Sequence, residues 1–106
     1  MFKQYIKANG PRVNNIKCEL YYSLGGMNYF TYEREARGYY LSVSPVERSG
    51  NMESYTAFSG NKVCLLEVAR RSKSAEEKAK ALINKYLKSL VEHVCVKNQI
   101  ILEEEI

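Results

Sequence analysis

Residues 59–72 read SGNKVCLLEVARRS, and the period assigned to this stretch decides the fold. Spaced at three and four, Val63, Leu66 and either Leu65 or Ala69 form a helical stripe, with Ser59 or Asn61 available as the cap. A continuous buried strand over residues 62–69 is the competing reading. We take the helical reading, with the strand as its competitor.

Downstream, SAEE at 74–77 fits a capping box, in which Ser74 caps and Glu77 reaches back to the free backbone amide. A long helix is expected to follow. Ala75, Ala79, Leu82, Ile83, Tyr86, Leu87, Leu90, Val91 and Val94 make its apolar stripe, while Lys78, Lys85, Lys88 and Glu92 face outward. VKNQIIL then offers a last strand or an extended arm, whose Ile100, Ile101 and Leu102 are too apolar to stay fully solvated.

Upstream the period is two. IKCELYYSL puts Ile16, Cys18, Leu20, Tyr22 and Leu24 on one face and Lys17, Glu19, Tyr21 and Ser23 on the other. Gly25 and Gly26 then provide a two-residue turn, from which MNYFTY returns antiparallel. After the charged connector EREAR, a third strand in RGYYLSVSPVER alternates Tyr39, Leu41 and Val43 with Tyr40, Ser42 and Ser44, and Pro45 marks an edge or an end. SYTAFS at 54–59 reads as a fourth strand, and FKQYI near the N-terminus as a further one before the NGPRVNN loop. The expected fold class is α+β: an antiparallel β-meander of about four strands packed by one short and one long C-terminal helix. At 106 residues the chain is expected to form one domain, 1–106.

Composition narrows the function classes. The chain has no aspartate and one histidine, His93, so metal sites and catalytic triads have few candidate residues, and neither an enzyme nor a cofactor is expected. His93 and Cys95 lie two positions apart on a helix and point about 200° apart, which disfavours a Cys–His pair. Cys18, Cys64 and Cys95 are odd in number and set among apolar residues, as for buried thiols. With no spanning apolar run and no signal-peptide pattern, a cytoplasmic protein is expected.

The net charge of +4 is uneven. Residues 62–88 hold eight basic and three acidic side chains, a local +5, whereas 89–106 carry −3. Arg70, Arg71 and Lys73 form the densest cluster, suited to phosphate or carboxylate and equally to a solvated helix end. The EEE at 103–105 is a solvated tail, or else it mimics nucleic-acid phosphate or covers the basic helix in the free protein. RGYYLSV begins like an aromatic RNA-reading strand with Arg37, Gly38 and Tyr39, then departs from that pattern, and Tyr39 shares the face of Leu41 and Val43. Tyr21, Phe30, Tyr32 and Tyr40 form the other aromatic set, either an exposed platform or a face covered by the shorter helix.

The blocks LGGMNYFTY, RGYYLSVSPVER and YTAFSGNKVCLLEVARRSKSAEEKA, within residues 24–79, resemble small proteins of Gram-positive plasmids and conjugative elements. Some of these resemble type II anti-CRISPR proteins. The resemblance implies a non-catalytic inhibitor that binds Cas9 and interferes with guide-RNA loading or with the assembled complex. The partner-binding candidates Tyr32, Arg34, Arg37, Tyr40, Arg70, Arg71 and Lys73 are chosen by charge and expected exposure, not carried over from the resemblance. The rival reading is a single-stranded nucleic-acid-binding accessory factor for element transfer or transcription. A third is an oligomerising module, a possible homodimer, paired through its C-terminal IIL.

Overall fold

The computed structural model describes residues 1–28, 32–47 and 60–103. In chain order these form β1 (Lys3–Gly10), β2 (Val13–Ser23), β3 (Gly26–Asn28), β4 (Glu33–Glu35), β5 (Gly38–Glu47), β6 (Asn61–Glu67), α1 (Lys73–Asn98) and β7 (Ile101–Leu102). The main sheet runs β6-β5-β2-β1-β7 with every pair antiparallel, and β3 and β4 make a separate two-stranded flap. Among the described residues the architecture is therefore mostly β with one helix of 26 residues, which corrects the expected α+β meander with one short and one long helix.

The correction falls on the stretch that opened the reading. Residues 61–67 are strand β6, paired with β5 from Gly38–Glu67 to Val43–Asn61. The free edge of β5 offers Val63, Cys64, Leu65 and Leu66 a ladder, and α1 then covers the side chains that face it. A register shift between Tyr39 and Tyr40 lets Leu65 reach the core. Gly38 is required at this pairing, because a Cβ there would run into the Leu66 carbonyl oxygen. The four apolar residues Val63–Leu66 misled because so short a run fits a strand and a helix equally.

The expected hairpin across Gly25 and Gly26 is also corrected. Leu20, Tyr21 and Tyr22 pair with Leu41, Tyr40 and Tyr39 of β5, and not with the residues that follow the glycines. The longer ladder wins: β2 and β5 match over ten residue pairs, whereas the flap pairs only Gly26–Glu35, Met27–Arg34 and Asn28–Glu33. The expected N-terminal strand is present as β1, and the last strand as β7 against Ala8 and Asn9. Pro45 opposes Ile16 at a point where the described pairing of β5 with β6 has already ended at Val43. The strand expected at 54–59 lies outside the described residues.

Helix α1 starts two residues earlier than the capping box suggests. Ser72, not Ser74, is the N-cap, with extended backbone, and its hydroxyl accepts from the Ala75 amide at 3.1 Å. Gln99 closes the helix in the left-handed conformation, its amide directed at the Cys95 and Val96 carbonyls. The buried stripe is Ala75, Ala79, Ile83, Leu87, Val91, Val94 and Cys95. It packs on Ile6, Ile16, Cys18, Leu20, Tyr39, Leu41, Val43 and Leu65 of the sheet. Each large aliphatic side chain so buried contributes about 1.5–3 kcal/mol, so removing any central one opens a costly void.

Candidate functional site

The antiparallel pairing brings the end of β2, the start of β5, the end of β6 and the start of α1 to one end of the sheet. The flap leaves the sheet at the same end, between β2 and β5. Arg37, Arg70, Arg71 and Lys73 lie at this end, and Arg34 lies on the flap that leaves it. Gly25 sits at φ +72 where a Cβ would lie 2.7 Å from the Glu35 carbonyl oxygen, so glycine allows the two arms of the flap to close.

Arg37 ties this end together. Its Nε donates to the Leu24 carbonyl at 2.9 Å and its Nη1 to the Ala69 carbonyl at 3.5 Å, while its own carbonyl accepts from the Val68 amide at 3.1 Å. One side chain thus joins the flap base to the β6–α1 linker. Tyr22 and Tyr39, in edge-to-face contact at 5.2 Å, support the linker from below. Tyr22 donates to the Val68 carbonyl, and the Tyr39 hydroxyl donates to the Ser72 carbonyl and accepts from the Ser72 amide. Arg71 lies over the Tyr22 ring at 5.8 Å. A shallow cleft of about 310 Å³ between Tyr39, Arg71, Ser72, Lys73 and Glu76 opens beside it.

Arg34, Arg70 and Lys73 are exposed, and Tyr32 stands out at 79% exposure on a positive φ of 59. Leu24 and Met27 are exposed on the same flap. Their place could not be read from an alternating pattern that assigned Leu24 to the core face.

Tyr40 does not belong to this surface. It lies on the opposite face of the sheet, only 5% exposed, stacked on Tyr21 at 5.8 Å with its hydroxyl donating to the Ala36 carbonyl at 2.6 Å. Burial pushes that hydroxyl up to about 12, and Cys64 beside it adds to the shift. Lys62 stands 5.4 Å over the Tyr40 ring and pairs with Glu35 at 2.6 Å. Among the described residues no shorter helix covers this face; Tyr21, Lys62 and the flap-borne Glu35 crowd Tyr40 instead. Phe30, the remaining aromatic of the expected platform, lies outside the described residues.

Among the described residues there is no group of three or more His, Cys, Asp or Glu able to hold a metal ion, and no helix is long and apolar enough to cross a membrane. What the end of the sheet offers chemically is a set of cations around exposed apolar and aromatic side chains. The class defined is thus a mostly β, single-helix fold with a cationic end. Comparisons with known protein families, with curated proteins and with solved structures give no significant match.

Proposed function

We propose that the chain is a non-enzymatic, cytoplasmic mobile-element protein that binds Cas9 and interferes with guide-RNA loading or with the assembled complex. The partner class comes from the resemblance of residues 24–79 to small proteins of Gram-positive mobile elements. The observation that carries the binding role is the Arg37 bridge from exposed Leu24 at the base of the flap, which also bears Met27, Tyr32 and Arg34, to the linker that bears Arg70, Arg71 and Lys73. Arginine and tyrosine are the side chains that most often dominate protein–protein affinity. Leu24 and Met27 favour a protein partner over a nucleic acid, since aliphatic side chains offer bases neither charge nor a stacking plane.

The alternative is a single-stranded nucleic-acid-binding accessory factor, favoured by the local +5 of residues 62–88. A pull-down against Cas9 with and without guide RNA, run beside an oligonucleotide-binding assay at two salt concentrations, separates the two. Retention on Cas9 without oligonucleotide binding supports the inhibitor. Oligonucleotide binding that falls steeply with salt, without Cas9 binding, supports the accessory factor, because cations that neutralise phosphates release counterions.

A further inference from the structure

Strands β3 and β4 are the least supported part of the fold. Among the described strands they pair only with each other, through Gly26–Glu35, Met27–Arg34 and Asn28–Glu33. No described residue of either strand joins the hydrophobic core, and Met27 is exposed. A two-stranded ribbon that buries no apolar face is marginally stable at best in water. Its closure therefore draws on contacts with the main sheet.

Most of those contacts fall beside the ladder, not on it. Arg37 holds the Leu24 and Ala69 carbonyls, the Ser23 hydroxyl accepts from the Gly25 amide at 3.1 Å, and the Tyr40 hydroxyl donates to the Ala36 carbonyl. These bonds fix where the chain leaves and re-enters the sheet, and none of them involves a carboxylate. Glu35 differs, being a ladder residue opposite Gly26. Its carboxylate accepts from Lys62 Nζ of β6 at 2.6 Å, with the Ser23 hydroxyl also beside it. Lys62 Nζ stands over the Tyr40 ring, so Glu35 reaches back over the start of β5 to meet it. Gly25 and Gly26 both sit at positive φ, and as glycines they can leave that geometry without strain.

We propose that the Glu35–Lys62 pair is a latch on the β3–β4 ladder: when the pair breaks, the two strands part while the main sheet and α1 stay folded. The groups that face the pair are Cys64 of β6, Glu19, Tyr21 and Ser23 of β2 and Tyr40 of β5, with Glu33 and Arg34 on β4 itself. Of these kinds of group only carboxylates change charge between pH 3 and pH 7, and Glu19 has its own partner in Lys3 at 3.5 Å. The Lys62 hydrogen bond holds the Glu35 carboxyl below its ordinary range, so the latch is closed above that range and released as pH falls through the lowered value. For the surface proposed above, the latch decides whether Met27 and Arg34 are presented in one fixed arrangement, a consequence that rests on that reading.

The test is amide hydrogen exchange of the full chain by NMR at pH 7 and pH 3, read as protection factors for residues 26–28 and 33–35 beside those of the β2–β5 ladder. The parent chain is compared with Glu35→Gln and Lys62→Met, each checked for native circular dichroism. In the parent at pH 7 the flap amides should be protected at least about tenfold less than those of β2–β5, the mark of an opening that leaves the main sheet intact. Each variant should lower flap protection at pH 7 by about 1.5- to fivefold, the population change that one solvent-exposed ion pair commands. The parent should lose a similar factor on going to pH 3, and the variants less. Flap protection that neither variant changes at pH 7 overturns the inference. So does a loss on acidification that Lys62→Met undergoes in full, and so do flap amides protected as strongly as those of β2–β5. Cas9 takes no part in this measurement, so failure of the latch and failure of the proposed partner are read separately.

Discussion

The Tyr40 hydroxyl donates to the Ala36 carbonyl at 2.6 Å, and its ring stacks on Tyr21 across the β2–β5 ladder. This contact anchors the chain where it returns from the flap into β5. A residue selected as a binding anchor is therefore part of the interior, and its removal is a stability experiment. Tyr40→Phe should cost about 1 kcal/mol, the net contribution of one hydrogen bond. Tyr40→Ala should cost about 3–5 kcal/mol, as for other buried aromatic truncations. Urea denaturation reads both. A Tyr40→Ala protein of unchanged stability that loses partner binding would return Tyr40 to the site.

The flap is coupled to β6 by Glu35 and Lys62, and this coupling titrates. The Lys62 hydrogen bond holds the Glu35 carboxyl below its ordinary range, so its contribution is present above that range and lost as pH falls through the lowered value. The Glu35 hydrogen bond raises Lys62, so its contribution is present below the ordinary lysine range and lost as pH rises through the raised value. The pair is about half exposed at Lys62, and solvent screening limits its worth to about 0.2–1 kcal/mol. Lys62→Met should lower stability near neutral pH by that amount and by less at pH 3. Equal losses at both pH values would show that the ion pair contributes nothing.

Buried thiols should differ in reactivity. Burial pushes Cys18 up to about 11, with Cys95 beside it adding to the shift, and burial raises Cys95 as well. Thiolate is the reactive form. In the native protein at pH 8, a disulfide reagent should modify the half-buried Cys64 first, and Cys64→Ser should remove that fast phase. A fast phase that survives Cys64→Ser would mean the helix lifts from the sheet on the reagent's timescale.

The strands β1, β2, β5 and β7 and the long helix were legible in the residues, whereas the second helix was wrong and the partner of β2 was hidden. The core side of the period of two, from Ile16 to Leu20, and the stripe of α1 record which side chains turn from water, although the period fails at Lys17, which is buried, and at Leu24, which is exposed. Ile16, Cys18 and Leu20 and the series Ala75, Ala79, Ile83, Leu87, Val91 and Val94 are buried accordingly. Residues 61–67 carry no such record, because their apolar part, Val63–Leu66, is half covered and too short to fix a period. Partner choice was equally hidden: Gly25 and Gly26 permit a tight turn, but the pairing of Leu20 with Leu41 and Tyr22 with Tyr39 gains more than the short return could. At the candidate site, the Arg70–Arg71–Lys73 cluster showed in the sequence. The bridging of Leu24 and Ala69 by Arg37 did not, because it joins residues 45 positions apart through backbone carbonyls.

Gly38 offers a test of that pairing. A methyl group there meets the Leu66 carbonyl oxygen, so Gly38→Ala should push β6 from β5 and destabilise the protein by about 1–3 kcal/mol, the range for overpacking. Thermal denaturation reads the loss. If residues 61–67 were helical and unpaired with β5, the substitution would be close to neutral.

The central claim, that the cationic end is a binding surface directed at Cas9, is tested most directly by calorimetric titration of Cas9, with and without guide RNA, by the parent chain and by Arg70→Glu/Arg71→Glu. Saturable binding by the parent chain is predicted, weakened at least about tenfold, or 1.4 kcal/mol, in a variant that keeps its native circular dichroism. Absence of binding to either form of Cas9 would contradict the proposed partner, and undiminished binding by the variant would contradict the proposed surface.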